Sequence, residues 1–233
     1  MKFVISEKVF EALPTVCFGA VVARGVDNRG RRPEINALLD QSIVTVKDKF
    51  KDAKLKEHPD VLCYREAFQK LGLNPNKFPC SVEALTARVL KGGSLPDINP
   101  AVNLVNAISL KYTLPMGAHD LDTVHGDMHV RFSSAGDVFL PFGQNEPEIL
   151  EEGELVYIDG REVRTRRWIW RQSDRGKVIS ESRNIFFPID GFSDCNREAV
   201  LAARDELAGY LQRFFKCEIN TFYLDIDNRV AEF

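Results

Sequence analysis

The sequence predicts an α+β fold in a single domain, and three observations carry that prediction. From residue 33 to 112, apolar residues recur at the helical spacings of three and four. From 130 to 192 the pattern changes to short aromatic and β-branched runs, punctuated by Gly136, Gly143, Gly153, Gly160, Gly176 and Gly191. A late strand, KCEINTFYLD at 216–225, has an early partner in residues 15–24. That pairing would interleave the two ends of the chain into one unit, not two beads.

In order along the chain, residues 2–5 read as a strand, and 6–13 as a short helix capped by Ser6 and stopped by Pro14. TVCFGAVVAR at 15–24 is apolar and β-branched enough for a buried strand. GVDNRGRR at 25–32 reads as a solvated basic loop. Pro33 suits the first turn of a helix that carries Ile35, Leu38, Leu39, Ile43 and Val46 on one side. HPDVLCYREAFQKLG places Val61, Tyr64, Phe68 and Leu71 on one face of a second helix, and Gly72 ends it. SVEALTARVLKGG gives a third, with Ser81 as cap and Val82, Leu85 and Val89 inward. These three form a helical extension at about 33–92, packed on the β-rich part of one domain spanning 1–233.

Asn99 followed by Pro100 is a strong helix start. Val102, Val105 and Ile108 then make an apolar stripe, while Asn99, Asn103 and Asn106 share another face. A row of amides at a helix N-terminus can line a polar pocket that favours an anion, or can be a cap with surface amides. LPMGAHDLDTVHGDMHVRF at 114–132 concentrates His119, His125 and His129 among Asp120, Asp122 and Asp127. His125 and His129 have the spacing of two metal ligands on a helical turn. Gly126 and the alternation of Met128, Val130 and Phe132 favour a strand instead. There the two histidines would stand roughly 13 Å apart, so no metal site is expected. The segment reads as a loop braced by Asp120 and Asp122 that leads into an edge strand. The acids from Glu146 to Glu154 read as a solvated turn, and Val200, Leu207, Leu211 and Phe214 mark the buried stripe of a last helix at 194–215.

The most unusual stretch is REVRTRRWIWRQSDRGKVISESRN at 161–184, which holds both tryptophans. As a strand, it would show Arg166, Trp168, Trp170 and Gln172 on one face and Thr165, Arg167, Ile169 and Arg171 on the other. Neither face is cleanly apolar. Arginine beside an aromatic plane suits stacking on bases, binding of a carboxylate or phosphate, or cross-strand packing.

Composition narrows the class without naming a reaction. A formal net charge of −3 argues against a binder of nucleic acid that works by overall attraction, though a local basic surface is allowed. The first residues lack the apolar run of a signal peptide, and the longest apolar stretch, VCFGAVVA, is too short to span a bilayer. Five dispersed cysteines without a C-x-x-C pair read as reduced thiols of a cytoplasmic protein. No phosphate-binding, dinucleotide-binding, serine-hydrolase or H-E-x-x-H motif is present.

SLPDINPAVNLVNAISLKYTLPMGAHDLDTVHGDMHVRF, followed by ELVYIDGREVRTRRWIWRQ and SESRNIFFPIDGF, resembles the B3/B4 domain of the phenylalanyl-tRNA synthetase beta subunit. The resemblance covers about residues 60–225, and YREAFQKLGLNPNK with TRRWIWRQ looks like that domain's free-standing relatives. It implies mixed sheets with flanking helices. It also implies hydrolysis of an amino acid wrongly esterified to tRNA, by a positioned water and without a covalent nucleophile. Asn99, Pro100, Asn103, Met116 and Asp120 match the family's pattern. Gly117 stands where the family has a pocket histidine, Pro188 where it has a pocket glutamate, and Thr165–Gln172 replaces a glycine-rich segment. These departures imply a pocket that is smaller, more cationic or built for another ligand.

The resemblance therefore implies a trans-acting aminoacyl-tRNA deacylase that does not itself charge tRNA. His119, near the place of the missing histidine, or Asn103 would orient the water. Arg167 and Arg171 would hold terminal phosphates. Asn99, Asn106, Met116, Gly117, Asp120, Trp168 and Gln172 would complete the substrate site, with tRNA as partner and no cofactor. The alternative is a non-catalytic module that binds tRNA or an amino-acid-like small molecule.

Overall fold

The computed structural model describes residues 1–233, and its two β-sheets pack face to face with six α-helices around them. The first part of the chain runs β1 (Lys2–Ile5), α1 (Glu7–Ala12), β2 (Val16–Arg24), α2 (Pro33–Lys49), α3 (Pro59–Lys70), α4 (Ser81–Leu90) and α5 (Pro100–Tyr112). Then come β3 (His119–Asp120), β4 (Met128–Phe132), β5 (Val138–Phe139), β6 (Glu148–Ile149), β7 (Leu155–Asp159), β8 (Glu162–Arg166) and β9 (Arg171–Gln172). The chain ends with β10 (Asn184–Phe192), α6 (Arg197–Phe215), β11 (Glu218–Leu224) and β12 (Val230–Glu232). The larger sheet has the order β12-β1-β4-β7-β8-β5-β6, with β9 on β8; the smaller has the order β11-β2-β10-β3.

Alternation along the long strands of the smaller sheet explains the layering. On β10, Phe186 and Phe192 join a core with Phe3, Ile5, Met128, Val130 and Tyr157 of the larger sheet. Ile185, Phe187 and Ile189 point the other way, into a second core made with α5 and α6. β2 divides likewise, Phe18, Ala20 and Val22 to the first core, Cys17, Val21 and Ala23 to the second. A strand buried on both faces needs apolar residues throughout, and that is the composition of both runs. At ~1.5–3 kcal/mol for each large side chain fully buried, this central sheet anchors the fold. β11 does pair with β2, from Glu218↔Arg24 to Leu224↔Phe18.

Several local expectations change. The helices of 33–92 pack in two different places. Leu39 and Val46 of α2 pack with Val89 of α4 and with Ala107 and Leu110 of α5, whereas Tyr64 and Phe68 of α3 enter the core between the sheets. Ser6 makes no capping bond, and Ser81 is the first residue of α4, after Cys80 at the cap position. β4 is not an edge strand: it lies between β1 and β7, because Met128 and Val130 face the inter-sheet core. The acidic run is not all solvated, since Glu154 pairs with Arg166 at 2.9 Å. All five cysteines are free thiols, and no helix is long and apolar enough to cross a membrane.

The tryptophan–arginine stretch is the largest correction. It is not one strand but β8, a turn at 167–170, and β9 folded back on β8 with Thr165↔Gln172 and Arg166↔Arg171 in register. Arg167 and Trp168 take φ of 48° and 59°, left-handed conformations that favour glycine. Strain of ~1–3 kcal/mol at such positions needs compensation. It comes from burial: the indole of Trp168 is fully enclosed, and its backbone N–H donates to the carbonyl of Leu155.

Candidate functional site

The site forms where the segment before β3 crosses β10. Asn99 caps α5, accepting from Val102 N at 3.0 Å, and its amide donates to the Val178 carbonyl at 2.9 Å. At the other end of α5, Thr113 in a left-handed conformation turns the chain back. Residues 115–117 then lie antiparallel to β10: Asp190 N donates to Pro115 O and Gly117 N to Pro188 O, both at 3.0 Å. Gly117 is thereby held against Pro188. A side chain there would begin 3.3 Å from the Pro188 ring and 3.4 Å from Nε2 of His119, a fit that the Pro188 ring would have to ease by a few tenths of an ångström.

Two chambers share the wall made by Met116, Gly117 and Gln172. The outer one, about 450 Å³, is lined by Asn99 and Asn106 of α5, by Val102 and Val105, and by Phe142 and Lys177. The inner one, about 100 Å³, is lined by His119, Tyr157, Trp168, Asp190, Ser81 and Thr165, with Arg171 and Trp170 also contributing. Gln172 is fixed on the dividing wall by a 2.6 Å bond from its Nε2 to the Ala118 carbonyl.

Asp190 is the most perturbed acid of the inner chamber. Its Oδ1 accepts from Tyr157 Oη and from Trp168 Nε1, each at 2.7 Å. Burial raises its pKa to about 7, against the opposing pull of these two hydrogen bonds. Tyr64 Oη holds the backbone of the same residue, donating to the Asp190 carbonyl at 2.8 Å, and in turn accepts from Asn196 Nδ2 at 2.9 Å. A carboxyl balanced near neutrality is suited to general acid–base work.

His119 is buried against Tyr157, the ring centroids 5.9 Å apart. Burial pushes its pKa down to about 3; Arg164 adds to the effect and Asp159 opposes it. The imidazole is therefore neutral at physiological pH and is no base there. Its Nδ1 is buried without a partner. A buried N–H without an acceptor is the less tolerated orphan, which favours the tautomer with the proton on Nε2, the nitrogen beside Gly117. His119 then offers a neutral N–H donor.

The structure brings together His119, Met116, Gly117, Trp168, Arg171 and Gln172 around the inner chamber, and adds Asn99 and Asn106 across the shared wall. Three expected residues lie elsewhere. Asn103 is turned away and fully engaged: its Nδ2 donates to Asp97 at 2.7 Å and Asn36 at 3.1 Å, and its Oδ1 accepts from Ile98 N at 3.2 Å. Asp120 braces the turn after β3, accepting from Asp122 N at 2.9 Å and from the Ser182 hydroxyl. Arg167 is the first residue of the hairpin turn, its guanidinium 4.1 Å from the Phe78 ring centroid, 4.6 Å from that of Trp170 and 3.5 Å from Glu154. Arg171 also lies on Trp170, 4.9 Å from its ring centroid, and lines the chamber, which Arg167 does not. Both guanidiniums thus lie against the one indole of Trp170.

Sequence reasoning missed Asp190, Tyr157, Ser81 and Thr165. Asp190 did carry a signal: it is the lone carboxylate in NIFFPIDGF, a run otherwise rich in apolar residues. A charged residue in such a strand calls for a partner or a function.

Comparison with known proteins follows from this geometry. A family model described as "B3/4 domain" matches residues 63–216. The phenylalanine--tRNA ligase beta subunit of Legionella pneumophila (strain Lens) is 30% identical over 73 residues, a stretch covering 31% of this chain and 9% of that protein. Among solved structures, an N-terminal fragment of the phenylalanyl-tRNA synthetase beta subunit from Pyrococcus horikoshii superposes with a TM-score of 0.51 at 11% identity, over 95% of this chain and 53% of the fragment. That superposition bears on the fold alone, and it agrees with a mixed α/β architecture of two sheets and six helices.

Proposed function

Because the chain belongs to the B3/4 domain family, we propose that it acts on tRNA, in the cytoplasm, by hydrolysing the ester of a mischarged aminoacyl-tRNA in trans. The observation that carries this reading is Asp190, a buried carboxyl held near neutrality in the inner chamber beside a neutral histidine. In its ionised form Asp190 takes a proton from a water as the water oxygen attacks the ester carbonyl carbon. The N–H of His119 stabilises the charge developing on the carbonyl oxygen. The ester C–O bond then breaks, and the proton held by Asp190 passes to the departing ribose oxygen. The products are the free amino acid and the uncharged tRNA, and no covalent enzyme intermediate forms. Gly117 admits the ester because it puts no side chain between Pro188 and His119. Asn99, Asn106 and Gln172 line the outer cleft that takes the terminal nucleoside, and Arg171, exposed next to Gln172 on the shared wall, supplies a cation for its phosphate.

The test is deacylation of a panel of mischarged tRNAs by the protein and by Asp190→Asn. Turnover by the first and loss of about 10²–10⁴-fold in the second supports the reading, in line with the usual worth of a general base. No turnover of any ester above background removes the enzyme assignment. The formal net charge of −3 favours a second reading, a binding module for tRNA or an amino-acid-like molecule. Binding that weakens steeply with salt marks tRNA phosphates as the ligand; salt-independent binding of a free amino acid marks the small molecule.

A further inference from the structure

The two chambers differ fourfold or more in capacity, and the ester to be bound has two unequal ends. The nucleotide end must continue outward to the rest of the tRNA, so it belongs in the larger outer cleft. The amino-acid side chain then enters the inner chamber of about 100 Å³. A protein cavity of ~150 Å³ accepts benzene, so a chamber of this size holds a whole phenyl or phenol ring only if its walls move or the ring extends toward the exposed Arg171.

The walls are held on several sides. Trp168 packs against Tyr64, Phe68 and Phe192 at centroid distances of 6.3, 6.1 and 5.8 Å, and its Nε1 is tied to Asp190. Pro188 is a central residue of β10, paired with Ala20 of β2 and bonded through its carbonyl to Gly117 N. Enlarging the chamber from these sides would disturb the inter-sheet core.

The chamber is also not apolar. Ser81 and Thr165, two residues with hydroxyl side chains, line it from two different elements, the first turn of α4 and the end of β8. Their backbones are fixed, Ser81 N by the Ile169 carbonyl at 2.8 Å and Thr165 by its ladder pairing with Gln172. Each hydroxyl can rotate to donate to a ligand or accept from it. Nothing in a purely aliphatic side chain would use them.

We infer that the substrate is the ester of a small hydroxylated amino acid, of the serine or threonine class, with Ser81 and Thr165 reading the hydroxyl and the Trp168–Pro188 walls excluding aromatic side chains. This inference rests on the ester-hydrolysis reading, and its test separates the two. Seryl, threonyl, alanyl and tyrosyl esters of one tRNA are compared for hydrolysis. The matching amide-linked 3′-aminoacylamino-adenosines, which cannot be cleaved in this way, are compared for binding by calorimetry. Seryl or threonyl is expected to lead alanyl and tyrosyl by about tenfold or more in both assays, since a site built to bind a hydroxyl rejects the analogue without it. Thr165→Val, which keeps the shape, and Ser81→Ala should each bring the seryl-to-alanyl ratio down by several-fold. Tyrosyl handled as well as seryl overturns the inference and leaves hydrolysis standing. An unchanged seryl-to-alanyl ratio in both variants overturns it too. Preferential binding of the seryl amide without cleavage of any ester removes the hydrolytic reading and keeps only the selectivity of the chamber for a small hydroxylated side chain. Failure of every amide to bind overturns the inference.

Discussion

Trp168 Nε1 and Asp190 Oδ1 lie 2.7 Å apart inside the protein, which ties a strained turn to the carboxyl of the inner chamber. The indole hydrogen bond favours the ionised carboxylate, as does the one from Tyr157. Trp168→Phe removes the first while keeping an aromatic ring. The apparent pKa of Asp190 should rise above about 7, and the pH–rate profile for ester hydrolysis should move to higher pH by the same shift. A profile that stays in place would disconnect Asp190 from the rate.

Asp190 also makes stability depend on pH. Its carboxyl ionises near 7 in the folded protein against about 3.8 for an unperturbed group. Between those values the folded state keeps a proton that the unfolded chain has released, so stability falls as pH rises through the window. The full change is on the order of 4 kcal/mol. Urea unfolding of the wild type at pH 4 and pH 8, set against Asp190→Asn, should show this difference shrink in the variant.

Under the proposed hydrolysis, His119 should contribute no limb to the activity profile near neutrality, because burial holds its pKa at about 3. His119→Ala should lower the rate by roughly 10–10³-fold, in the range for loss of one donor to a developing oxyanion. The midpoint of the profile near pH 7 should survive. A profile that loses its midpoint in this variant would make the imidazole the titrating base.

Arg167 and Arg171 should separate cleanly. Arg167 stacks with Phe78 and Trp170 and pairs with Glu154, so Arg167→Ala should cost ~1–2 kcal/mol of stability through lost cation–π and packing contacts. Arg171 is exposed. Arg171→Ala should change stability by less than ~0.5 kcal/mol and weaken tRNA binding, with a shallower salt dependence. Thermal unfolding beside a salt titration of tRNA affinity checks both.

Asn99→Ala removes the cap of α5 and the bond to Val178, two interactions that join the helix start to the outer cleft. A loss of ~1–3 kcal/mol is expected in chemical unfolding.

Much of the architecture was legible because it rests on period. The long runs of β2, β10 and β11 and the stripes of α2, α3, α5 and α6 carry their periodicity in neighbouring residues. What stayed hidden depends on contacts distant in sequence. The interior position of β4 follows from its pairing with both β1 and β7. The turn at Arg167–Trp168 uses left-handed dihedrals without glycine, so the usual marker was absent. Asn103 shares a helix face with Asn99 and Asn106, yet Asp97 and Asn36 claim its amide. Asp190 drew no notice as a site residue because its setting is made by residues 115–117, Tyr157 and Trp168, all far along the chain.

β10 has a lasting consequence for how this protein can change. Its odd positions Ile185, Phe187 and Ile189 are committed to the helix-covered core, while Pro188 and Asp190 border the chamber. Nine consecutive pairs with β2, from Asn184↔Arg24 to Phe192↔Val16, lock that division. A slip of one residue would turn the carboxylate toward the helix-covered core and an isoleucine toward the chamber. Substitutions at 188 and 190 can therefore reshape the chamber on an unaltered scaffold, whereas the odd residues beside them are held by the core.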